Sequence, residues 1–245
     1  MNEVAVVSEH RRILVSTATF NEAANITEWY SRVRAVLPEA ELLVVDDSSP
    51  DGTADVVRSF QKSDSLFHLL VRPAKSGLGS AHRAAMLFAF ENEYEVLVTM
   101  DADLSHQPEQ LPPFLDAISN HDFVIGTRSN GGGCDYTGVR RFLSLAGNRA
   151  ARLLIPTGLT EYTTSMRAFT PEALQDLFTH GIRDDGYAFF METVEILYRS
   201  GCSMTEVPIH FMDRTHGQSK IPKHQIWLSA STLMRLSASR LRKSP

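Results

Sequence analysis

The sequence predicts an α/β fold, a mostly parallel sheet flanked by helices, in a single domain that ends in an amphipathic C-terminal helix. Three observations carry this. Short β-branched runs alternate with stretches of helical periodicity through the first half of the chain. Several of those runs end in charged residues, the pattern of strands whose ends share one functional edge. The 245 residues are 43% hydrophobic, enough to cover a sheet on both faces.

Taken in order, Arg12–Thr19 (RILVSTAT) is rich in β-branched residues and reads as a buried strand. Asn21–Leu37 carries Ile26, Trp29, Tyr30, Val33, Val36 and Leu37 at helical spacing and stops before Pro38. Glu41–Asp46 (ELLVVD) is the second strand, and the turn Asp51-Gly52-Thr53 feeds a helix over about Ala54–Phe60. Phe67–Arg72 is the third strand, followed by a glycine-containing loop and a helix over about Gly79–Asn92. Tyr94–Met100 (YEVLVTM) and Asp122–Thr127 (DFVIGT) are the fourth and fifth strands, which completes a run of βαβ units. Asn130-Gly131-Gly132-Gly133 reads as a mobile loop, either a linker or an active-site lid. Beyond it come a helix over Arg141–Leu154, an irregular segment, helices near Pro171–Phe178 and Phe189–Ser200, and a strand over Met204–Phe211. From Pro222 the tail interleaves Ile226, Trp227, Leu228, Leu233, Met234, Leu236 and Leu241 with Lys223, Arg235, Arg240, Arg242 and Lys243. No linker cuts the chain earlier, so residues 1–221 are expected to form one domain and residues 222–245 a basic amphipathic helix.

Composition removes several classes. With 24 Lys+Arg against 29 Asp+Glu the net charge is −5, which argues against a general nucleic-acid binder. Cys134 and Cys202 are too few and too far apart for a disulfide framework or a metal cluster, as expected of a reducing cytosol. No apolar run approaches the roughly 18 residues that cross a bilayer. Met1–Arg12 carries Glu3, Glu9, Arg11 and Arg12 and is no signal peptide. The expectation is a soluble cytoplasmic chain, with peripheral contact to the cytoplasmic membrane face through the tail set against simple packing of that helix on the core.

In an open parallel sheet, ligands bind beyond the C-terminal ends of the strands. The first strand runs into Thr19-Phe20-Asn21-Glu22, the second into Asp46-Asp47-Ser48-Ser49-Pro50-Asp51, the fourth into Asp101-Ala102-Asp103 and the fifth into Arg128. Asp101 and Asp103, two apart on extended backbone, point the same way and repel unless a cation lies between them. Hard oxygen donors suit Mg²⁺ or Mn²⁺; the alternative is two solvated aspartates, one capping the next helix. Asp46 ends a buried strand, where an unpaired charge is costly, and is assigned to a nucleobase or ribose hydroxyl, whereas Asp51 is assigned to capping. Lys75-Ser76-Gly77-Leu78-Gly79 lacks the spacing of a phosphate-binding loop and is more simply a glycine turn. Downstream, Arg214 and Lys220 bracket Gly217 after a strand, suited to a departing pyrophosphate or to a solvated basic turn. His106 and His216 read as helpers rather than catalysts.

With these pieces in hand, the chain resembles the family-two glycosyltransferases of the GT-A (Rossmann-like) fold, and among them the dolichyl- and polyprenyl-phosphate mannose synthases. The likeness runs from about Ile13 to Lys220. It is carried by Thr19-Phe20-Asn21-Glu22, Val45-Asp46-Asp47-Ser48-Ser49-Pro50-Asp51-Gly52-Thr53, Gly77-Leu78-Gly79, Met100-Asp101-Ala102-Asp103-Leu104-Ser105-His106, Val124-Ile125-Gly126-Thr127-Arg128, Arg140-Arg141, and Asp213-Arg214 through Ser219-Lys220. The resemblance implies that Ala18, Phe20, Glu22, Val44 and Asp46 hold guanine and ribose. It implies that Asp101 and Asp103, with Ser105, hold a divalent metal and the donor diphosphate, with the backbone at Met100 and Ala102 alongside. Arg128 would contact the donor sugar or the acceptor phosphate, Arg214 and Lys220 the phosphates, and Glu192 falls where relatives keep a glutamate. Ala18 and Phe20 replace the usual proline and tyrosine. Glu161-Tyr162-Thr163-Thr164-Ser165-Met166-Arg167 stands where relatives read Asp-x-Thr-Ser-Gly-Phe-Arg, and Phe190 stands where a glutamine is common.

The activity implied is inverting transfer of mannose from GDP-mannose to a polyprenyl phosphate, assisted by Mg²⁺ or Mn²⁺. A phosphate acceptor is already an anion, so no strong base is required, and Arg128 with Arg140 or Arg141 would hold it. A second reading keeps the fold and donor but uses another sugar or a soluble acceptor whose hydroxyl needs a base, for which Glu192 and Asp135 are the candidates. A third, a non-catalytic nucleotide-sugar binder, is disfavoured by the complete Asp-Ala-Asp motif.

Overall fold

The computed structural model describes residues 11–135 and 138–213, with the side chains of residues 139–144 outside that description. In chain order the elements are β1 (Ile13–Thr19), α1 (Ala23–Val36), β2 (Glu41–Asp46), α2 (Thr53–Gln61), β3 (Phe67–Val71), α3 (Leu78–Glu91), β4 (Val96–Thr99), α4 (Leu111–Ile118), β5 (Phe123–Thr127), β6 (Gly133–Cys134), α5 (Gly138–Leu154), β7 (Arg167–Phe169), α6 (Pro171–His180), α7 (Phe189–Ser200), β8 (Met204–Pro208) and β9 (His210–Phe211). The expected tail helix, 222–245, lies outside the described residues, as do Arg214, His216 and Lys220.

Seven strands form one sheet in the order β3-β2-β1-β4-β7-β5-β8. All pairs are parallel except those of β7, which runs against both β4 and β5. Side chains alternate between two apolar layers, as the period of two requires. Leu14, Leu43, Leu97 and Ile125 pack with α3, α5, α6 and α7 on one face. Val15, Val44, Val98 and Val124 pack with α1, α2 and α4 on the other. Both faces are covered, which explains strands that read as continuous hydrophobic runs.

The structure departs from the sequence reading in four places. β7 lies in the segment expected to be irregular; three residues are too few to show a period. α4 was not singled out, because Pro112 and Pro113 suggest a break; they occupy the first turn, where no amide donor is needed. The expected strand Met204–Phe211 divides at Pro208, after which Ile209 N–H donates to Thr127 O and β9 joins β6 instead. The Asn130–Gly133 stretch is tied down rather than loose: Gly133 pairs with His210, and a Cβ on Gly132 would lie 2.1 Å from Thr127 O.

The two glycines before α3 also find a structural use. A Cβ on Gly79 would sit 2.6 Å from Phe189 Cβ, and Gly79 N–H donates to Asp185 O at 2.8 Å. The 184–186 turn therefore docks on the start of α3, where the glycine turn was weighed against a phosphate cradle.

Three residues along, His82 is buried between Phe189 and Phe190, with ring centroids at 5.7 and 5.2 Å, and its Nε2 has no partner. Burial first, then the Arg167 guanidinium and the His106 ring, push its pKa down to about 3. A folded-state pKa below the unfolded value means that the unfolded chain binds the extra proton. This contribution to stability is complete above about pH 6.5 and falls away as the pH drops toward 3. We expect His82→Leu, which removes the orphaned nitrogen at similar volume, to hold or raise the urea midpoint at neutral pH. It should also flatten the fall in midpoint between pH 6.5 and 4, measured by denaturation at each pH; a slope equal to wild type would place the acid sensitivity elsewhere.

Candidate active site

The loops after β1 and β2 are laced together by side-chain oxygens. Asp46 is fully buried; its Oδ1 accepts from Thr19 Oγ1 at 2.8 Å and Ser49 Oγ at 2.6 Å, and its Oδ2 from Ser49 N–H at 2.9 Å. Ser49 Oγ also accepts from Asn21 N–H, and Thr53 Oγ1 from Glu22 N–H. Asp51 binds Thr53 N–H, Thr53 Oγ1 and Ala23 N–H, the capping role expected of it. Asn21, Ser48 and Leu104 account for three of the four non-glycine residues with positive φ among the described residues, and each lies in a loop at this strand edge. Backbone of this kind persists only where its surroundings over-determine it.

Ala18 and Phe20 stand partly exposed at the mouth, with the Lys75 ammonium 4.1 Å from the Phe20 ring centroid. Glu22 is partly exposed, and its Oε2 accepts from Asn25 at 2.7 Å. Two of the expected nucleoside contacts are differently placed. Val44 is fully buried inside β2 and packs on the α1–α2 face, so its side chain does not reach the edge. The Asp46 carboxylate is spent on tying the two loops together.

β4 ends at Thr99, and the acids follow in a turn rather than on extended strand. Asp101 is partly exposed and its Oδ1 accepts from Ser165 Oγ at 2.5 Å. Asp103 is buried and its Oδ1 accepts from Ser105 N–H at 3.1 Å and from Ser105 Oγ. Ser105 therefore orients a carboxylate of the pair. Met100 and Ala102 are buried between and beside them. His106 is fully buried; its Nδ1 accepts Asp101 N–H at 3.1 Å, which leaves Nε2 to donate to Thr164 Oγ1 at 3.1 Å. Burial lowers its pKa against the opposing pull of Asp101 and Asp103, so both carboxylates lie within electrostatic range of one neutral ring. Among the described residues no group of three or more His, Cys, Asp or Glu is arranged around a cation. Two carboxylates held by neutral hydroxyls fit Mg²⁺ or Mn²⁺, which take few protein ligands and fill the remainder with water and phosphate oxygens.

At the end of β5, Arg128 is locked from below. Its Nε donates to Glu161 Oε2 at 2.8 Å and its Nη2 to Thr163 Oγ1 at 2.8 Å, with Nη2 also 2.8 Å from Glu161. Glu161 is fully buried and also accepts from Thr163 N–H and Oγ1 and from Tyr162 N–H. Burial alone would raise its pKa, but Arg128 and the Thr163 donors outweigh it and hold the carboxyl below the usual range. Arg167 is buried too, and its donors go to the carbonyls of Thr164, Tyr162 and Phe190 and to Thr193 Oγ1. Glu192 Oε2 accepts from Arg183 N–H at 3.0 Å and Asp184 N–H at 2.8 Å, which braces the turn docked on α3. Arg140 and Arg141 lie in α5, with side chains outside the described set. Asp135 pairs with His210 at 2.6 Å. Glu161, Thr163, Ser165 and Arg167 were absent from the site expected from sequence; their one signal was the altered Glu161–Arg167 segment itself.

A three-layer sheet with a paired-acid turn beyond β4 and an anchored arginine beyond β5 defines a glycosyltransferase of GT-A type. The chain belongs to glycosyl transferase family 2, whose profile matches residues 15–178. It is 39% identical over 212 residues to the undecaprenyl-phosphate mannosyltransferase of Micrococcus luteus, covering 86% of this chain and 87% of that one. It is 36% identical over 221 residues to the polyprenol monophosphomannose synthase of Mycolicibacterium smegmatis, covering 89% and 83%. Among solved structures, glucosyl-3-phosphoglycerate synthase from Mycobacterium tuberculosis, in complex with Mn²⁺, UDP and glucosyl-3-phosphoglycerate, matches with a TM-score of 0.68 at 18% identity over 94% of this chain and 81% of that one. The mannosyltransferase PcManGT from Pyrobaculum calidifontis, in complex with GDP-Man and Mn²⁺, matches with a TM-score of 0.62 at 18% identity over 97% and 66%. At these identities the solved structures establish the fold.

Glu161→Gln keeps the shape of the side chain but leaves Arg128 facing a neutral group in a buried setting. We expect a loss of about 3 kcal/mol at pH 7 in urea denaturation, the scale for breaking a buried ion pair. Because the folded carboxyl titrates below its unfolded value, the wild-type contribution is complete above about pH 4.5 and disappears as acid protonates the folded form. The difference between variant and wild type should therefore narrow below that pH; a constant gap would mean that Glu161 acts through packing alone.

Proposed function

We propose that the protein transfers mannose from GDP-mannose to a polyprenyl phosphate, with inversion at the anomeric carbon, using Mg²⁺ or Mn²⁺ held by Asp101 and Asp103. The observation that carries the reading is the acid turn beyond β4 in a chain whose relatives at 39% and 36% identity are named for mannosyl transfer to undecaprenyl phosphate and for polyprenol monophosphomannose synthesis. A mannosyltransferase in complex with GDP-Man and Mn²⁺ shares this fold, which makes that donor and metal the ones proposed.

Each group has a stated task. Phe20, with Lys75 above its ring, offers a flat cationic-aromatic surface for the nucleobase, and Ala18 and Glu22 line the same mouth. Asp101 and Asp103 are oriented by Ser165 and Ser105 and would hold the cation beside the donor diphosphate. When bound, that cation supplies electrostatic stabilisation of the leaving diphosphate. Arg214 and Lys220 are assigned to the same phosphates. Arg128, fixed by Glu161 and Thr163, is assigned to the acceptor phosphate. A phosphate oxygen of the acceptor forms the new bond to the anomeric carbon while the bond to GDP breaks and its electron pair leaves with the diphosphate. The acceptor is already ionised, so no proton has to be removed. Glu192, engaged with two backbone amides, is given a bracing role in place of the catalytic one first assigned to it.

Incubation with radiolabelled GDP-mannose, Mn²⁺ and undecaprenyl phosphate should place label in the butanol phase as an acid-labile β-linked product. Asp103→Asn should lower this transfer by about 100-fold or more, the scale of losing one preorganised charge from the transition state. Label confined to a water-soluble product, or preference for a UDP-sugar in a donor panel, would replace this reading with transfer to a soluble acceptor or from another donor.

A further inference from the structure

We propose that α5 is the surface by which this protein docks on an anionic lipid bilayer. The inference rests on the lipid-phosphate reading above and gives it a contact face. It begins with charge. The chain carries a net charge of −5, yet no Asp or Glu occurs between Asp135 and Glu161, a stretch that holds Arg140, Arg141, Arg149 and Arg152. All four arginines fall within the 17 residues of α5.

The second observation is exposure. Leu145 is 50% exposed and Leu153 is 78% exposed, the highest value among the exposed large hydrophobics of the described residues. Leu145, Arg149 and Leu153 stand at i, i+4 and i+8 and so share one file along the helix, flanked by exposed Ala146 and Arg152. The opposite face is anchored: Asn148 and Ala151 are buried, and Ala151, Ala150 and Leu154 pack into the core. A helix seated in this way cannot turn its leucines inward. Leucines alternating with arginines, with no acid among them, match an interfacial helix whose apolar side chains enter the headgroup boundary while the cations meet lipid phosphates. No helix of the described residues is long and apolar enough to cross a membrane.

The third observation is position. Asn148 Oδ1 accepts from Tyr162 N–H at 3.0 Å, and Tyr162 adjoins Glu161, the partner of Arg128. The docked helix is thus coupled by two adjacent residues to the arginine assigned to the acceptor phosphate. A lipid acceptor need leave the bilayer only by its headgroup to reach that edge. An acidic protein partner would use the charge but would not explain leucines in the same file, so the bilayer is the occupant favoured.

The test is co-sedimentation of the full chain with phosphatidylcholine vesicles, with and without phosphatidylglycerol. Binding should require the anionic lipid and weaken as salt rises. Arg149→Ser with Arg152→Ser should weaken it by about 25-fold, at roughly fivefold per arginine. Leu145→Ser with Leu153→Ser should weaken it as well. Leu87→Ser on α3, where the leucine is 45% exposed, should leave binding unchanged. Melting curves that match wild type would show that the exposed substitutions leave the fold intact. Mannosyl transfer to a long-chain acceptor in vesicles should fall with binding, while transfer to a short, water-soluble isoprenyl phosphate should not. The inference is overturned if wild type ignores anionic vesicles, if the α5 variants bind as wild type does, or if binding is lost only when Arg240 and Arg242 of the tail are changed to Ser. Vesicle binding that depends on α5, without mannosylation of any prenyl phosphate, would keep the docking face and remove the functional reading. Mannosylation with α5-independent binding would do the reverse.

Discussion

An antiparallel strand inserted into a parallel sheet enters from the edge at which its neighbours end, so the residues preceding β7 have to lie beside the ends of β4 and β5. That topological requirement wires the site. Within five residues the segment supplies Glu161 and Thr163 to Arg128 on one side and Ser165 to Asp101 on the other. Thr99 Oγ1 fixes the same segment from β4 by donating to Ser165 O at 2.6 Å. Arg167, the first residue of β7, secures the bend: its guanidinium gathers three backbone carbonyls and one hydroxyl from the segment and from the start of α7. Burial lowers its pKa to about 9, against the pull of Glu161, so it remains a cation at neutral pH. A buried cation whose hydrogen bonds go to carbonyls can be satisfied only while all those carbonyls keep their places, which makes one side chain the lock on a whole loop.

Hydroxyl groups are the other recurring device. Thr19 and Ser49 hold Asp46, Thr53 holds Asp51, Ser105 holds Asp103, Ser165 holds Asp101 and Thr163 holds Glu161. A hydroxyl orients a carboxylate without neutralising it, whereas a lysine or arginine would cancel the charge. The distinction separates two regions of the edge. Asp101 and Asp103 receive hydroxyl donors, the arrangement on which their proposed role toward a cation rests. Glu161 receives a guanidinium as well, and what the pair presents is an arginine with its orientation fixed. The Asp47–Arg72 pair, at 2.5 Å, repeats the second arrangement at the end of β2 and carries it on to Ser80 of α3.

Most of the sheet was legible in the sequence because its strands are buried on both faces and end in charge, so β1 to β5 could be placed within a residue or two. The parts that escaped notice lack a local signal. β7 has three residues, and its reversal is visible only through its neighbours. α4 begins with a proline pair that resembles a break. The acids beyond β4 were readable as a pair, but not their unequal burial, since the turn that separates them depends on Ser105, His106 and Ser165, the last of these 64 residues away from Asp101. Val44 stands one residue before a motif that ends at the site, and the alternation of the strand sends its side chain into the core. Ser105, given by resemblance to the metal, also donates to Asp103. Sequence shows which residues arrive at an edge; the partners that decide their roles come from elsewhere in the chain.

The placement of Glu192 bears on the acceptor. Transfer to a hydroxyl needs a carboxylate or imidazole whose lone pair meets the reacting proton. Glu192 is buried with one oxygen given to two backbone amides, and the turn it braces is pressed onto Gly79 so closely that no Cβ fits. Asp135, the other candidate, is joined to His210 beside β6. His106 uses Nδ1 to accept from Asp101 N–H and Nε2 to donate to Thr164. Each of these three groups is thus committed to holding backbone or a neighbouring side chain, and freeing one would loosen the loop it supports. An acceptor that arrives already ionised asks nothing of them, and the contact proposed for it is the guanidinium of Arg128, whose orientation Glu161 and Thr163 fix. The engagement of Glu192, Asp135 and His106 in structure, beside an arginine oriented by Glu161 and Thr163, favours the proposal of a phosphate as the attacking group.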